Sequence, residues 1–398
     1  MSSGLQRRTE SLLEAAGLEL NGSRPEDPQV HDSRFFRRVL AQGSLGLGEA
    51  YMDGWWDCER LDRFFEAVLR AGLDRRVRGA GFVWDYLKAR LLNLQYGRRA
   101  FRVGEHHYDI GNELYRCMLD RRMIYSCAFW AEGDDLDTAQ ARKLEMVARK
   151  LYLKPGMRVL DIGCGWGGAA RYLAEHYDVQ VVGVTVSREQ VEFAREYCKG
   201  LPVEIRLQDY RDVNERFDRV FSIGMFEHVG HRNYRAYMET TRRVLPDDGL
   251  SLLHTIGAHR TQYQTDPWVA RYIFPNSMVP SMAQISRAGE HLLRLEDSHN
   301  ISVNYDPTLM AWHRNVEAHR DVLSRHYDER FFRMWRYYLL SCAASFRLQR
   351  NPVWQIVFSA EGVPGGYRRP ALPLEETGTG LGQEKDVRSA STRSREMA

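Results

Sequence analysis

The chain has 398 residues, of which 43% are hydrophobic and 27% charged, and its formal net charge is +3. That apolar fraction supplies a sizeable core and excludes a chain disordered throughout, and the near-neutral balance gives no reason to expect nucleic acid as a partner. No run of residues approaches the roughly 18 to 20 apolar positions that a bilayer-spanning helix needs.

At roughly 150 residues per domain the length allows two or three domains, and the predicted elements divide the chain accordingly. Residues 1–10 are polar, carry Arg7 and Arg8, and lack the apolar stretch of a secretory signal. Residues 1–74 read as a small, mainly helical N-terminal domain. Thr9 to Leu20 sets Leu12, Leu13, Ala16 and Leu20 on one helical face. The stretches 33–40 and 61–69 each repeat apolar pairs at helical spacing. Between them, residues 45–57 are rich in glycine and aromatics and are predicted to form an irregular turn. Residues 75–104 make a basic amphipathic linker. There Arg75, Arg76, Arg78, Lys88, Arg90, Arg98, Arg99 and Arg102 stand against Asp85 alone, a net +7 that leaves −4 for the rest of the chain. Its predicted helix over 82–94 aligns Trp84, Leu87, Leu91 and Leu94. It either lies on an anionic membrane surface or packs as a connector on the next domain.

From 105 to 367 strand and helix patterns alternate. Strands are predicted at 158–162, 179–185, 203–207, 217–223 and 250–255, and helices at 169–177 and 188–199. This predicts an α/β fold with a doubly wound, mostly parallel sheet. Residues 368–398 turn to Gly, Ser, Thr and mixed charge and are expected to be a disordered tail. The six cysteines (58, 117, 127, 164, 198 and 342) form no CxxC pair and no Cys/His cluster. No metal site or disulfide framework is therefore expected, and a reducing cytoplasm is.

The run Val159-Leu-Asp-Ile-Gly-Cys-Gly-Trp-Gly-Gly satisfies G-x-G-x-x-G through Gly163, Gly165 and Gly168. A dinucleotide site would place an acid at the end of the second strand, about 20 residues on. Here that strand ends in Gly183-Val-Thr-Val-Ser, and the acid instead precedes the loop, at Asp161. That suits S-adenosyl-L-methionine (SAM), whose ammonium an acid can meet and whose compact body the glycines let the backbone approach.

Several further motifs occur in order: Tyr125-Ser-Cys-Ala-Phe-Trp, Leu207-Gln-Asp-Tyr-Arg-Asp, Gly224-Met-Phe-Glu-His-Val-Gly, Leu253-His-Thr-Ile-Gly and Tyr305-Asp-Pro-Thr-Leu-Met-Ala-Trp. With the glycine loop they resemble the cyclopropane-fatty-acyl-phospholipid synthases, within the cyclopropane and mycolic acid cyclopropane synthase family of SAM-dependent methyltransferases. The N-terminal region resembles the lipid-engaging part of the bacterial, phospholipid-acting members. The resemblance implies transfer of the SAM methyl to a cis double bond of an acyl chain in a membrane phospholipid. A carbocation then loses a proton from the added methyl to a bound bicarbonate ion, and the ring closes. It also implies a cytoplasmic enzyme held peripherally at the membrane, and a homodimer.

Carried over residue by residue, the bicarbonate shell falls on Cys127, Glu227, His254, Ile256 (through its backbone) and Tyr305. Glu227 beside an anion requires a shared proton or a charged His254. Cys342 matches a cysteine treated as an active-site residue, although a thiolate gains nothing against an alkene that is itself the electron donor, and its helical setting reads as pocket lining. For SAM the match carries over Tyr125, Ser126, Leu160, Asp161, Gly163, Gly165, Gly167, Gly168, Thr185 and Gln190, with Gln208 and Asp209 at the adenine edge and Tyr210 against its face. The stretch 266–276 resembles the family's lid over the lipid. Two other readings stay open: a lipid methyltransferase that leaves a methyl or methylene branch, and a non-catalytic lipid-binding protein.

Overall fold

The four helices α1 (Ser2–Ala15), α2 (Arg34–Gln42), α3 (Ser44–Met52) and α4 (Leu61–Arg70) open the chain, with a two-residue pairing of β1 (Gln29–Val30) and β2 (Trp56–Asp57) between them. The structure, a computed structural model, describes residues 2–76, 111–263 and 265–371. The basic side chains predicted to meet a membrane, the helix over 82–94 and the tail beyond 371 lie outside the described residues.

The stretch predicted as an irregular turn is instead helix α3 followed by β2. Glycine in a helix interior ordinarily costs about 1 kcal/mol, but here it buys close approach. A Cβ on Gly46 would stand 2.5 Å from the Arg38 carbonyl oxygen of α2, and one on Gly48 would stand 2.4 Å from the Trp268 indole. The composition that reads as a loop is a packing surface. Helix α1 ends at Ala15, short of the predicted Leu20, because Gly17 turns the chain with φ +71°.

The predicted strands appear as β3 (Arg158–Ile162), β4 (Gln180–Thr185), β5 (Val203–Leu207), β6 (Arg219–Ile223) and β7 (Leu250–Ile256), joined by β8 (Arg294–Asn300) and β9 (Val353–Ser359). The order across the sheet is β5-β4-β3-β6-β7-β9-β8, parallel through β7, with β9 antiparallel to both its neighbours. From β3 the chain proceeds outward to β4 and β5, then returns to β6 on its other side. The carboxyl ends of β3 and β6 therefore flank the crevice where open α/β sheets bind ligands. The helices that matter for this crevice are α5 (Leu136–Lys150), α6 (Gly168–Tyr177), α7 (Arg188–Tyr197), α8 (Pro267–Tyr272), α9 (Tyr305–Ala318) and α10 (Glu329–Arg347).

The N-terminal helices share one apolar core with α10, in which Trp56, Phe64 and Phe65 pack with Tyr337 and Leu340. Arg347 of α10 crosses the same seam, donating to Asp62 and Glu66 of α4 at 3.1 Å each and to Asp306 of α9 at 2.8 Å. The wall of the crevice is thus built by both ends of the chain.

Candidate active site

A single cavity of about 690 Å³ runs from the glycine loop, past the ends of β6 and β7, to apolar side chains of α1, α2 and α4. All the site residues read from the sequence line it except Leu160 and Gly167. Leu160 is fully buried in the sheet, its side chain part of the apolar core. Gly167 faces α7, where a Cβ would meet Cys198 and Ala194 at about 3 Å.

The loop end is shaped by backbone. Gly163 has φ +85°, and a side chain there would meet Met225; a Cβ on Gly168 would overlap the Arg122 carbonyl oxygen. Any larger residue at either position closes the turn. Asp161, at the end of β3, is buried, and its Oδ2 has no hydrogen-bond partner. Burial pushes its carboxyl up to about 8, against the opposing pull of Lys143. Thr185 donates to Gln190 Oε1 at 2.9 Å, and Ser187 caps α7. Asp209, expected at an adenine edge, is engaged by the Arg211 backbone N–H at 3.0 Å and its Nε at 2.9 Å. Tyr210 packs edge-on to Tyr237.

The segment Tyr125–Trp130 is fastened to the start of α9. Asn304 accepts from the Trp130 backbone N–H at 2.8 Å, and Thr308 accepts from the Ala128 N–H at 3.2 Å and the Trp130 indole at 2.9 Å. This sets Cys127 and Tyr305 on one wall. Cys127 is buried and its thiol is pushed up, so it stays protonated; in this arrangement it donates to the Ala128 carbonyl at 3.3 Å. The Tyr305 ring packs at a tilt of 38° against Phe346, with ring centroids 4.4 Å apart.

Facing them are Glu227, in the short turn after β6, and His254, near the end of β7. The backbone N–H of Ile256, assigned from sequence to an oxyanion, instead donates to Glu227 Oε1 at 2.6 Å. Glu227 meets it from the turn after β6, the strand that adjoins β7. Glu227 Oε2 is buried without a partner, and burial pushes this carboxyl up to about 7, opposed by the Ile256 N–H. His254 is held neutral, since burial and the charges of Lys143 and Lys150 all push it down. Of the two ways to place an anion beside Glu227, a shared proton is the one this site offers.

Cys342 of α10 lines the cavity as a thiol pushed up to about 12 by burial. The stretch 266–276 contains α8, whose first turn is capped by Asp266. It is pinned to α3: the Trp268 indole donates to Met52 Sδ at 3.4 Å, and Glu49 accepts from the Tyr272 hydroxyl at 2.9 Å and pairs with Arg271 at 3.2 Å. Trp268, Phe274 and Tyr337 are among the aromatics that line the cavity.

Lys143 went unread in the sequence. It is fully buried on α5, lines the cavity, and donates to Ser126 Oγ at 3.0 Å; burial pushes it down to about 8. A signal existed: Gln140, Lys143 and Lys150 sit among Ala139, Leu144 and Val147 on the apolar face of one helix, where unpaired charge is costly.

Residues 95–356 match the family model described as mycolic acid cyclopropane synthetase. The chain is 53% identical over 365 residues to the cyclopropane-fatty-acyl-phospholipid synthase of Escherichia coli (strain K12), covering 91% of this chain and 95% of that one. Among solved structures, the cyclopropane synthase MmaA2 from Mycobacterium tuberculosis superposes with a TM-score of 0.61 at 31% identity, over 65% of this chain and 98% of that one. The mycolic acid cyclopropane synthase CmaA1, complexed with SAH and CTAB, does so with 0.60 at 29% identity, over the same shares.

Proposed function

Since the chain belongs to the mycolic acid cyclopropane synthetase family, we propose that it transfers the SAM methyl to the cis double bond of unsaturated acyl chains in membrane phospholipids and forms a cyclopropane ring. The observation that carries this reading is the continuity of the cavity: one space joins a glycine loop with an orphaned carboxylate, a wall of neutral hydrogen-bonding groups and a long apolar recess.

The residues present fit both small molecules. Asp161 would take the SAM ammonium, the one partner its Oδ2 lacks, and Thr185, Gln190 and Gln208 lie around the same end. Cys127, Tyr305, His254 and a protonated Glu227 are all neutral donors, the set that a small oxyanion such as bicarbonate requires in a dry pocket. When bound, SAM supplies an electrophilic methyl and bicarbonate a base. The chain's own residues orient the alkene, exclude water and hold protons. Glu227 Oε1 is anchored on Ile256 N–H, which leaves Oε2, without a protein partner, to hold or receive a proton. The ring faces of Trp268, Phe274 and Tyr337 attract positive charge developing on the acyl chain. A protonated Cys342 in an apolar helix serves as wall and not as nucleophile.

No helix of the described residues is long and apolar enough to cross a membrane. We infer peripheral association from the cytoplasmic side, with the basic segment from Arg75 to Arg102 meeting anionic headgroups. Each such residue near a surface contributes about 1 kcal/mol.

The test is incubation of the purified protein with SAM and vesicles of cis-unsaturated phospholipid, followed by lipid mass spectrometry. The expected product gains about 14 mass units per modified chain, one added methylene, and loses a double bond. The added mass with unsaturation retained would favour a methyl- or methylene-branching enzyme. No change in the lipid, with SAM still bound, would favour a lipid-binding protein.

A further inference from the structure

Behind His254 a buried polar line crosses the antiparallel part of the sheet. Gln355 of β9 is paired with His254 of β7 on one side and with His299 of β8 on the other, and directly paired residues point to the same face of a sheet. Lys150, the last residue of α5, reaches this line. Its Nζ donates to Gln355 Oε1 at 2.9 Å and to His299 Nδ1 at 3.0 Å, and Gln355 Nε2 donates to His254 Nδ1 at 3.3 Å. Lys150 and His254 are 2% exposed and Gln355 is fully buried.

The donor inventory leaves one arrangement. A lysine amine offered to an amide meets its oxygen, so the amide of Gln355 turns its NH2 toward His254. An NH2 can only donate, so Nδ1 of His254 must carry the lone pair and the ring proton must sit on Nε2. His254 lines the cavity. We propose that Lys150 and Gln355 are positioning residues that lock His254 in its Nε2–H tautomer, making it a hydrogen-bond donor toward the base site and denying it the role of base. This rests on the reading that His254 belongs to the base shell. Lys150, Gln355 and His254 are a buried polar line that is costly as mere packing. A fixed tautomer is what they deliver.

The test uses the full-length protein with ring-15N-labelled histidine and long-range 1H–15N correlation, the His254 signals being assigned by their loss in His254→Gln. The wild type is expected to show the Nε2–H tautomer at neutral pH. In Gln355→Glu a carboxylate still accepts from Lys150 but now also accepts from the ring. His254 should flip to Nδ1–H, with turnover down roughly 10–100-fold and SAM affinity retained. A wild-type His254 in the Nδ1–H form overturns the proposal, as does a flipped tautomer with unchanged turnover. If Gln355→Glu does not fold, Lys150→Met serves, and should give a mixture of tautomers as the amide is freed to turn; a single Nε2–H form there also overturns it. Full turnover in His254→Gln would sink the base-shell reading itself, whereas an inactive His254→Gln beside a fully active Gln355→Glu sinks only the tautomer lock.

Discussion

At one end of the cavity the polar atoms hang from strand ends or from the loops that follow them: Asp161 from β3, Glu227 from the turn after β6, and His254 from β7. At the other end the walls are apolar side chains of α1, α2 and α4, such as Leu12, Phe35, Val39 and Val68. Strand ends fix direction, because sheet register sets where each side chain points. Helix faces fix volume, because neighbouring apolar groups can exchange places at small cost. Substitutions at the first end should therefore cost orders of magnitude and those at the second only change which chain fits.

The largest effect is expected at Glu227. Glu227→Gln keeps the acceptor for the Ile256 N–H but leaves an amide that cannot give up or receive the proton. Turnover should fall by at least about 10²-fold, the usual contribution of a placed acid or base, with SAM affinity within about twofold. The same variant has a stability signature. The Glu227 carboxyl is raised above its unfolded value, to about 7. Its contribution to stability is therefore complete below pH 4.5 and lost as pH rises through about 7. Glutamine does not titrate, so Glu227→Gln should gain stability relative to the wild type between pH 5 and pH 8, by up to roughly 3 kcal/mol. Denaturant melts at the two pH values measure this. Parallel curves for the two proteins would mean that Glu227 is ionised throughout and has no proton to share.

Asp161 should respond next. Asp161→Asn removes the charge that would meet an ammonium, a contact worth about 1.5–3 kcal/mol, so SAM affinity by calorimetry should fall roughly 10–100-fold. In the absence of SAM the variant should gain stability relative to the wild type as pH rises from about 4 to about 8, because burial raises the Asp161 carboxyl and asparagine does not titrate. Weaker binding together with higher intrinsic stability is the mark of a group held ready for a ligand. Weaker binding with lower stability would make Asp161 a structural residue.

The same contrast explains what was legible in the sequence. The strands and the glycine loop declare themselves, because a buried parallel strand is a run of Val, Leu and Ile and a tight turn needs glycine at fixed offsets. Asp161, at the end of a predicted strand and just before the glycine loop, could be read from position, whereas Glu227 and His254 were named through the family resemblance of the motifs around them. Leu160 could not be told from them by proximity alone, yet it points into the sheet. That the Ile256 N–H donates to Glu227 Oε1 is not visible in the sequence, because it depends on how the turn after β6 meets the end of β7. On the helical side the signal is weaker still. Gly46 and Gly48 read as a loop because only the assembled structure brings Arg38 and Trp268 against them. Lys143 was lost among the charges of an amphipathic helix, though it is the apolar face that carries it.

The apolar end offers the gentlest test. Val68 of α4 lines the recess close to Leu69, Phe64 and Phe65, in a wall assembled from helix faces. Val68→Trp puts an indole where the methyl end of an acyl chain would lie. The wall is apolar side chains, so the fold can absorb the change with a loss of about 1–3 kcal/mol in stability. The reaction at the far end keeps its geometry, so turnover on phospholipids with short unsaturated chains should stay within about twofold of the wild type. Longer chains lose fitted volume, and a methylene that no longer fits costs about 1–3 kcal/mol. The ratio of short-chain to long-chain product in a mixed-vesicle assay should therefore rise by about tenfold, read from the lipid masses. An unchanged ratio would mean that the chain does not enter between α1, α2 and α4, and the division of the cavity into a directing end and a measuring end would fall.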